Sequence, residues 1–296
     1  MINVVRTVTD LRRDALAVSV LHDLDLSPGD DGIVLDGAPD VRIDWAECER
    51  ALDGARPETP AARLRLTHWL LARRTLADLV PLAEGSDGLV EVAESGFLDR
   101  VRPLAFPLGH PCHPGPRWVV SRVLGDAVEL GLGLRGLDPA RPEEVLPVAP
   151  DLFAAASLGD TGCWSAATGY LDAMAAVSAS RWRRDPAQPL RPVGDCDVVT
   201  LLASPVLRAA LAGARGGMCA CVVPMRTRGW TELRRVDPAY AVAAVGATSD
   251  DQRGFDRPLL VTVDEVALAA DGGRPAEIAL RDPEYAMPSL LRRPYS

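Results

Sequence analysis

The clearest periodic stretch begins at Thr59-Pro60, after which Leu64, Trp69, Leu70, Leu76 and Leu79 return at roughly helical intervals. Such spacing puts apolar side chains on one helix face, and Thr-Pro suits an N-cap followed by the first helical position. Pro81 predicts the end of that helix. A second helical region is predicted from Ala154 to Arg184, with Trp164, Tyr170, Leu171, Met174 and Val177 facing inward, and a shorter one from Val206 to Ala214. Short apolar runs predict strands at Ile33–Leu35, Val198–Leu202, Met218–Val223, Ala241–Val245 and Leu259–Val263. Between them, 83–105 predicts a strand or short helix, Val119–Leu124 a helix, Gly131–Gly136 a flexible turn, Glu143–Val145 a short helix and Pro186–Pro192 a loop.

This order is irregular, so the predicted fold is α+β, with a mixed, largely antiparallel sheet and flanking helices. The Gly/Pro-rich stretch 131–150 offers a soft boundary between a region 1–135 and a region 136–296. With 296 residues, 48% of them hydrophobic, the chain is long enough to bury a large core. Its net charge of -9, from 41 acidic and 32 basic residues, argues against a general nucleic-acid binder. No lysine occurs, so any anion has to be held by arginine, histidine or backbone N–H groups. Cysteines 48, 112, 163, 196, 219 and 221 are irregularly spaced, which predicts reduced thiols. The first residues lack the order of a signal peptide and no apolar run is long enough to span a bilayer; the expectation is a cytoplasmic protein without a membrane partner.

Two of the four histidines fall in one segment, Gly109-His110-Pro111-Cys112-His113-Pro114-Gly115-Pro116-Arg117. Imidazole and thiolate are zinc ligands, so His110, Cys112 and His113 raise a metalloprotein reading. Against it, paired C-x-x-C knuckles are absent, and neighbouring ligands in a proline-stiffened loop rarely converge. Cys112 beside His113 is a weak nucleophile–base pair for the same reason. Gly131-Leu132-Gly133-Leu134-Arg135-Gly136 matches G-x-G-x-x-G, but a dinucleotide loop needs a strand before it. Pro224-Met225-Arg226-Thr227 follows an apolar strand candidate, where an arginine and a hydroxyl can hold phosphate oxygens. A solvated hairpin edge is the plainer alternative.

Taken in order, these motifs resemble the IucA/IucC family of siderophore synthetases, which work without a nonribosomal peptide synthetase. GHPCHP is similar to the family's Gly-His-Pro-x-His-Pro, with Arg117 at its following basic position; Glu144-Val145 and Ala149–Phe153 match later segments. Pro224–Thr227 resembles Ser-x-Arg-Thr, and Thr248-Ser249 followed by Arg253 resembles the last phosphate-contacting segment. The resemblance covers about residues 95–255 and corresponds to the N-terminal portion of a synthetase. It implies ATP with Mg²⁺, adenylation of a small carboxylate and capture by an amine or alcohol. His110, His113 and Arg226 are then the expected catalytic residues, and Arg117, Thr227, Ser249 and Arg253 the expected cofactor-binding residues. The pocket would be completed by a separate chain or a second copy. The family's serine is Pro224 here and its phosphate-binding lysine is absent, which leaves open a catalytically degenerate relative that binds a partner or ligand.

Overall fold

The computed structural model of the chain describes residues 8–36, 41–52, 55, 59–83, 96–115, 118–148, 150 and 160–269. They form an α+β protein with antiparallel sheets. The described residues divide into two compact units: the first within 1–104, 111–121 and 131–170, the second within 105–110, 122–130 and 171–296.

In the first unit, α1 (Val8–His22) precedes an antiparallel sheet of β1 (Leu26–Pro28), β2 (Gly32–Leu35) and β3 (Val41–Asp44). Helix α2 (Trp45–Leu52) starts with a reciprocal cap: Asp44 Oδ1 accepts from the Glu47 N–H at 2.6 Å, and Glu47 Oε2 accepts from the Asp44 N–H at 3.3 Å. Helix α3 (Pro60–Ala83) begins as its sequence predicts, with Thr59 Oγ1 accepting from the Ala62 N–H, and runs two residues past Pro81. Leu11, Ala15 and Val18 of α1, Ile33 and Leu35 of β2, Trp45 and Cys48 of α2, and Leu66 and Leu70 of α3 share one core. The Cys48 thiol is pushed up to about 12, first by burial and then by the neighbouring Glu47 and Asp44 carboxylates.

After α4 (Phe97–Arg100) come β4 (Val101–Pro107), β5 (Val120–Leu124) and β6 (Val128–Arg135), in the order β4-β6-β5, with β7 (Val145–Pro147) antiparallel on β6. The helix predicted over Val119–Leu124 is therefore a strand, as its β-branched valines favour. The predicted turn Gly131–Gly136 is mostly strand as well. Its glycines answer a steric demand: a Cβ on Gly131 would lie 2.3 Å from the Trp118 ring, and one on Gly133 would lie 2.4 Å from Val145 Cγ1. Glu143–Val145 leads into a strand and not a helix.

The long helix α5 spans Asp160–Arg184. Its buried stripe is Cys163, Ala167, Leu171, Ala175, Ala179 and Trp182, a run of mostly small residues four apart. Val177, expected inside, lies 39% exposed. The second unit continues with α6 (Val198–Leu202), α7 (Pro205–Gly213), β8 (Cys219–Met225), β9 (Arg228–Trp230), α8 (Pro238–Ala247), β10 (Leu259–Val261) and β11 (Val266–Leu268). Its sheet has the order β11-β10-β8-β9. The predicted helix at 206–214 and strands at 218–223 and 259–263 are present. The predicted strands at 198–202 and 241–245 are α6 and α8, each started by an aspartate cap: Asp197 accepts from the Thr200 N–H and Asp237 from the Ala239 N–H.

All six cysteines are buried thiols. No helix among the described residues is long and apolar enough to cross a membrane.

Candidate functional site

Residues Arg226 and Thr227 form the two-residue turn between β8 and β9, where Met225 pairs with Arg228. Before the turn, the register slips between Val222 and Met225, so Pro224 sits where its missing N–H costs nothing. The segment 252–255 runs antiparallel alongside. Gln252 O accepts from the Arg226 N–H, Pro224 O from the Gly254 N–H, and Val223 O from the Phe255 N–H. Only glycine fits at 254, because a Cβ there would meet Val223 O at 2.1 Å.

This pairing places Arg226 and Arg253 together. The Arg226 side chain turns inward and is only 5% exposed. Its Nε and Nη2 donate to Asp197 Oδ2 at 2.7 and 2.6 Å, while its guanidinium carbon lies 4.4 Å from the centre of the Phe106 ring. That combines a charge-assisted pair with a cation–π contact. Asp197 Oδ1 meanwhile accepts from the Thr200 N–H at 2.7 Å, and Thr200 Oγ1 accepts from the Ala105 N–H in β4. His110 follows the turn that Gly109 makes at φ 74°. Its buried ring tilts against Phe106 at 5.5 Å, and its Nε2 donates to the Arg253 carbonyl at 3.0 Å. Arg253 Nη2 pairs with Asp250 at 2.9 Å. Two donors remain over: Arg226 Nη1 and Arg253 Nε are buried without a hydrogen-bond partner.

His110, Arg226 and Arg253, three of the residues singled out from sequence, thus converge. Thr227 and Ser249 do not join them. His113 belongs to the first unit and is tied into its own loop: its Nδ1 accepts from the Gly115 N–H at 3.0 Å, its carbonyl from Arg65 Nε at 3.3 Å, and its ring meets Trp118 edge-on. Thr227 is exposed at the hairpin tip. Ser249 is also exposed, and its side chain is hydrogen-bonded to Asp251. Burial pushes the Asp251 carboxyl up, but the bonds from Ser249 and Gln252 outweigh it and hold it below its usual value. Arg117 and most of 149–153 lie outside the described residues. Three participants escaped the sequence reading, Phe106, Asp197 and Asp250. Asp197 carries a faint signal as an N-cap residue ahead of an apolar run.

The first unit holds a second buried polar cluster. His22 Nδ1 lies 2.6 Å from Asp138 Oδ2, and Arg141 Nε donates to the same oxygen at 3.1 Å. Burial pushes the Asp138 carboxyl up, yet the hydrogen bond and charge of His22, the Ala140 N–H and Arg141 together hold it below its usual value. His68 lies nearby, its Nδ1 buried and without a partner, and burial first, then His22 and Arg141, lower it to about 3. It also lines a cavity of about 30 Å³ with Arg65 and Trp69, which is room for a single water.

Among the described residues, no group of three or more His, Cys, Asp or Glu side chains is placed to hold a metal ion, so the His110–Cys112–His113 metal reading gains no ligand set. In the second-unit cluster, two guanidinium groups, each tethered by a carboxylate, keep one buried donor apiece. The chain matches no protein-family model, no curated protein and no solved structure.

Proposed function

We propose that His110, Arg226 and Arg253 form the phosphate-binding site of an ATP-dependent, carboxylate-activating enzyme of the kind the sequence resembles. The observation that carries this reading is their convergence: three residues from three separate motifs share one hydrogen-bonded cluster with two unspent guanidinium donors. Adenylation of a carboxylate expels pyrophosphate, so its transition state gathers negative charge that positioned arginines stabilise. In a chain without lysine, Arg226 Nη1 and Arg253 Nε fill that role. His110 holds the Arg253 backbone in place, and Mg²⁺ would accompany the nucleotide. The substrates in this reading are a small carboxylate and an amine or alcohol, and a partner chain or second copy contributes the rest of the pocket.

The test is calorimetry of the full chain with ATP and Mg²⁺. Saturable binding is expected, weakened at least tenfold in Arg226→Lys, which keeps a cation for Asp197 but loses the guanidinium fork. Absence of binding to the unaltered chain, alone or with a candidate partner, overturns the reading.

One observation favours a second reading, a relative that keeps the fold without catalysis. Arg226 is already neutralised by Asp197, a carboxylate of its own chain. Hydroxylamine trapping of an acyl-adenylate from a small carboxylate separates the two: product demonstrates an enzyme, whereas nucleotide binding without product supports the degenerate relative.

A further inference from the structure

A cavity of about 190 Å³ opens in the second unit at the end of α5, away from the residues of the arginine cluster. Its apolar lining is Trp182, Pro189 and Leu190. Its rim carries Arg181, Arg191 and Gln188. No hydrogen bond or ion pair to the described residues engages either guanidinium, and both side chains are exposed at the mouth.

The walls are fixed before any ligand arrives. Trp182 Nε1 donates to Thr231 Oγ1 at 2.7 Å, so the indole is anchored and only 5% exposed. Leu190 and Gly229 exchange two backbone hydrogen bonds, at 2.6 and 3.1 Å, which pin the loop to β9. The cavity's acidic member, Asp185, uses Oδ1 to accept from the Ala187 N–H, and its carbonyl accepts from the Gln188 N–H. Arg181, Arg183 and Arg184 all lie in the last turn of α5, at the negative end of its dipole, and of these only Arg181 lines the cavity. Two arginines and one aspartate thus line, with Trp182, Pro189 and Leu190, a space smaller than the roughly 300–1,000 Å³ typical of drug-sized ligands.

We infer that this cavity binds a small organic carboxylate with an apolar body, the carboxylate bridging Arg181 and Arg191 and the body lying on Trp182. Guanidinium groups match carboxylates bidentately, and the apolar lining favours an organic acid over inorganic phosphate, which has no apolar part to place there. This inference stands apart from the nucleotide reading, since it uses none of the same residues.

Benzoate is the probe, titrated into the full chain at low salt by ligand-observed NMR. Saturable binding is expected, at least tenfold stronger than that of benzamide, its uncharged analogue, or of inorganic phosphate. The double variant Arg181→Gln/Arg191→Gln alters only exposed side chains and should retain the parent's thermal midpoint while losing benzoate affinity at least tenfold. Arg183→Gln, which removes charge from the same helix end outside the cavity, should leave affinity unchanged. Equal binding of benzamide or phosphate overturns the inference, as does an equal loss in Arg183→Gln or undiminished binding in the double variant. Absence of benzoate binding to the unaltered chain overturns it as well.

Discussion

The two buried polar clusters are built from similar parts and end up chemically different. In the first unit, Asp138 is wholly buried and its Oδ2 receives both His22 and Arg141, while Arg141 also reaches Glu144. Asp138 itself is matched, but the first unit also keeps two buried nitrogens without a partner on α3, His68 Nδ1 and Arg73 Nε. In the second unit, Asp197 and Asp250 tether two arginines, and each arginine keeps a buried donor in reserve. An unmatched buried donor costs about 1–3 kcal/mol, so each of these two arginines carries a penalty that a hydrogen-bonding partner would relieve. On the reading proposed above, the first cluster fastens the fold and the second is where a ligand would supply the missing partners.

The largest effect that would test this contrast comes from Asp138→Ala. It leaves His22 and Arg141 without their shared acceptor, and a loss of about 3–5 kcal/mol is expected in urea unfolding. Stability comparable to the parent would place the fastening elsewhere. Acid titration gives the next effect. His68 falls from 6.5 unfolded to about 3 folded, so the unfolded chain takes up a proton that the folded chain refuses. Stability is therefore lost as pH falls through that window, and the depressed Asp138 acts in the same direction at its lower end. In His68→Gln, the pH dependence of the unfolding free energy over this range should flatten by up to one proton. An unchanged slope would remove His68 as its source.

A smaller effect on stability, with a larger one on binding, is expected for Arg253→Gln. Its ion pair with Asp250 is about one-third exposed on both sides, so stability should change by less than about 1 kcal/mol. Nucleotide affinity, measured by the same calorimetry, should fall roughly tenfold, as removal of a charge-assisted contact implies. The reverse pattern would make the second cluster structural like the first. Smallest of all is Thr227→Ala at the exposed hairpin tip, where neither thermal midpoint nor nucleotide binding should move. A clear loss of binding would return Thr227 to the site.

The same contrast explains how much could be read from the sequence. Helix α3 was legible because Thr59-Pro60 is a local signal followed by regular apolar spacing. Asp237-Pro238 is the same kind of signal, but Ala241–Val245 reads as a strand when β-propensity is weighed ahead of the cap. Asp197 likewise caps a Val-Val-Thr-Leu-Leu run that strands would favour. His110, Arg226 and Arg253 were legible through motif order, although nothing in that order revealed that His110 reaches Arg253 through a backbone carbonyl. The His22–Asp138 pair, 116 residues apart, has no local trace at all. Gly131 and Gly133 show the opposite hazard, since they imitate a nucleotide loop while making room for Trp118 and Val145.

Asp197 divides its carboxylate between two tasks, one oxygen on the Thr200 amide at the start of α6 and the other on the Arg226 guanidinium. An anion that draws Arg226 toward itself must therefore loosen or tighten the first turn of that helix, and the Thr200 amide becomes a built-in reporter. Its hydrogen-exchange rate should change when nucleotide is added, while the equivalent amide at the start of α8, capped by Asp237 alone, keeps its own pace.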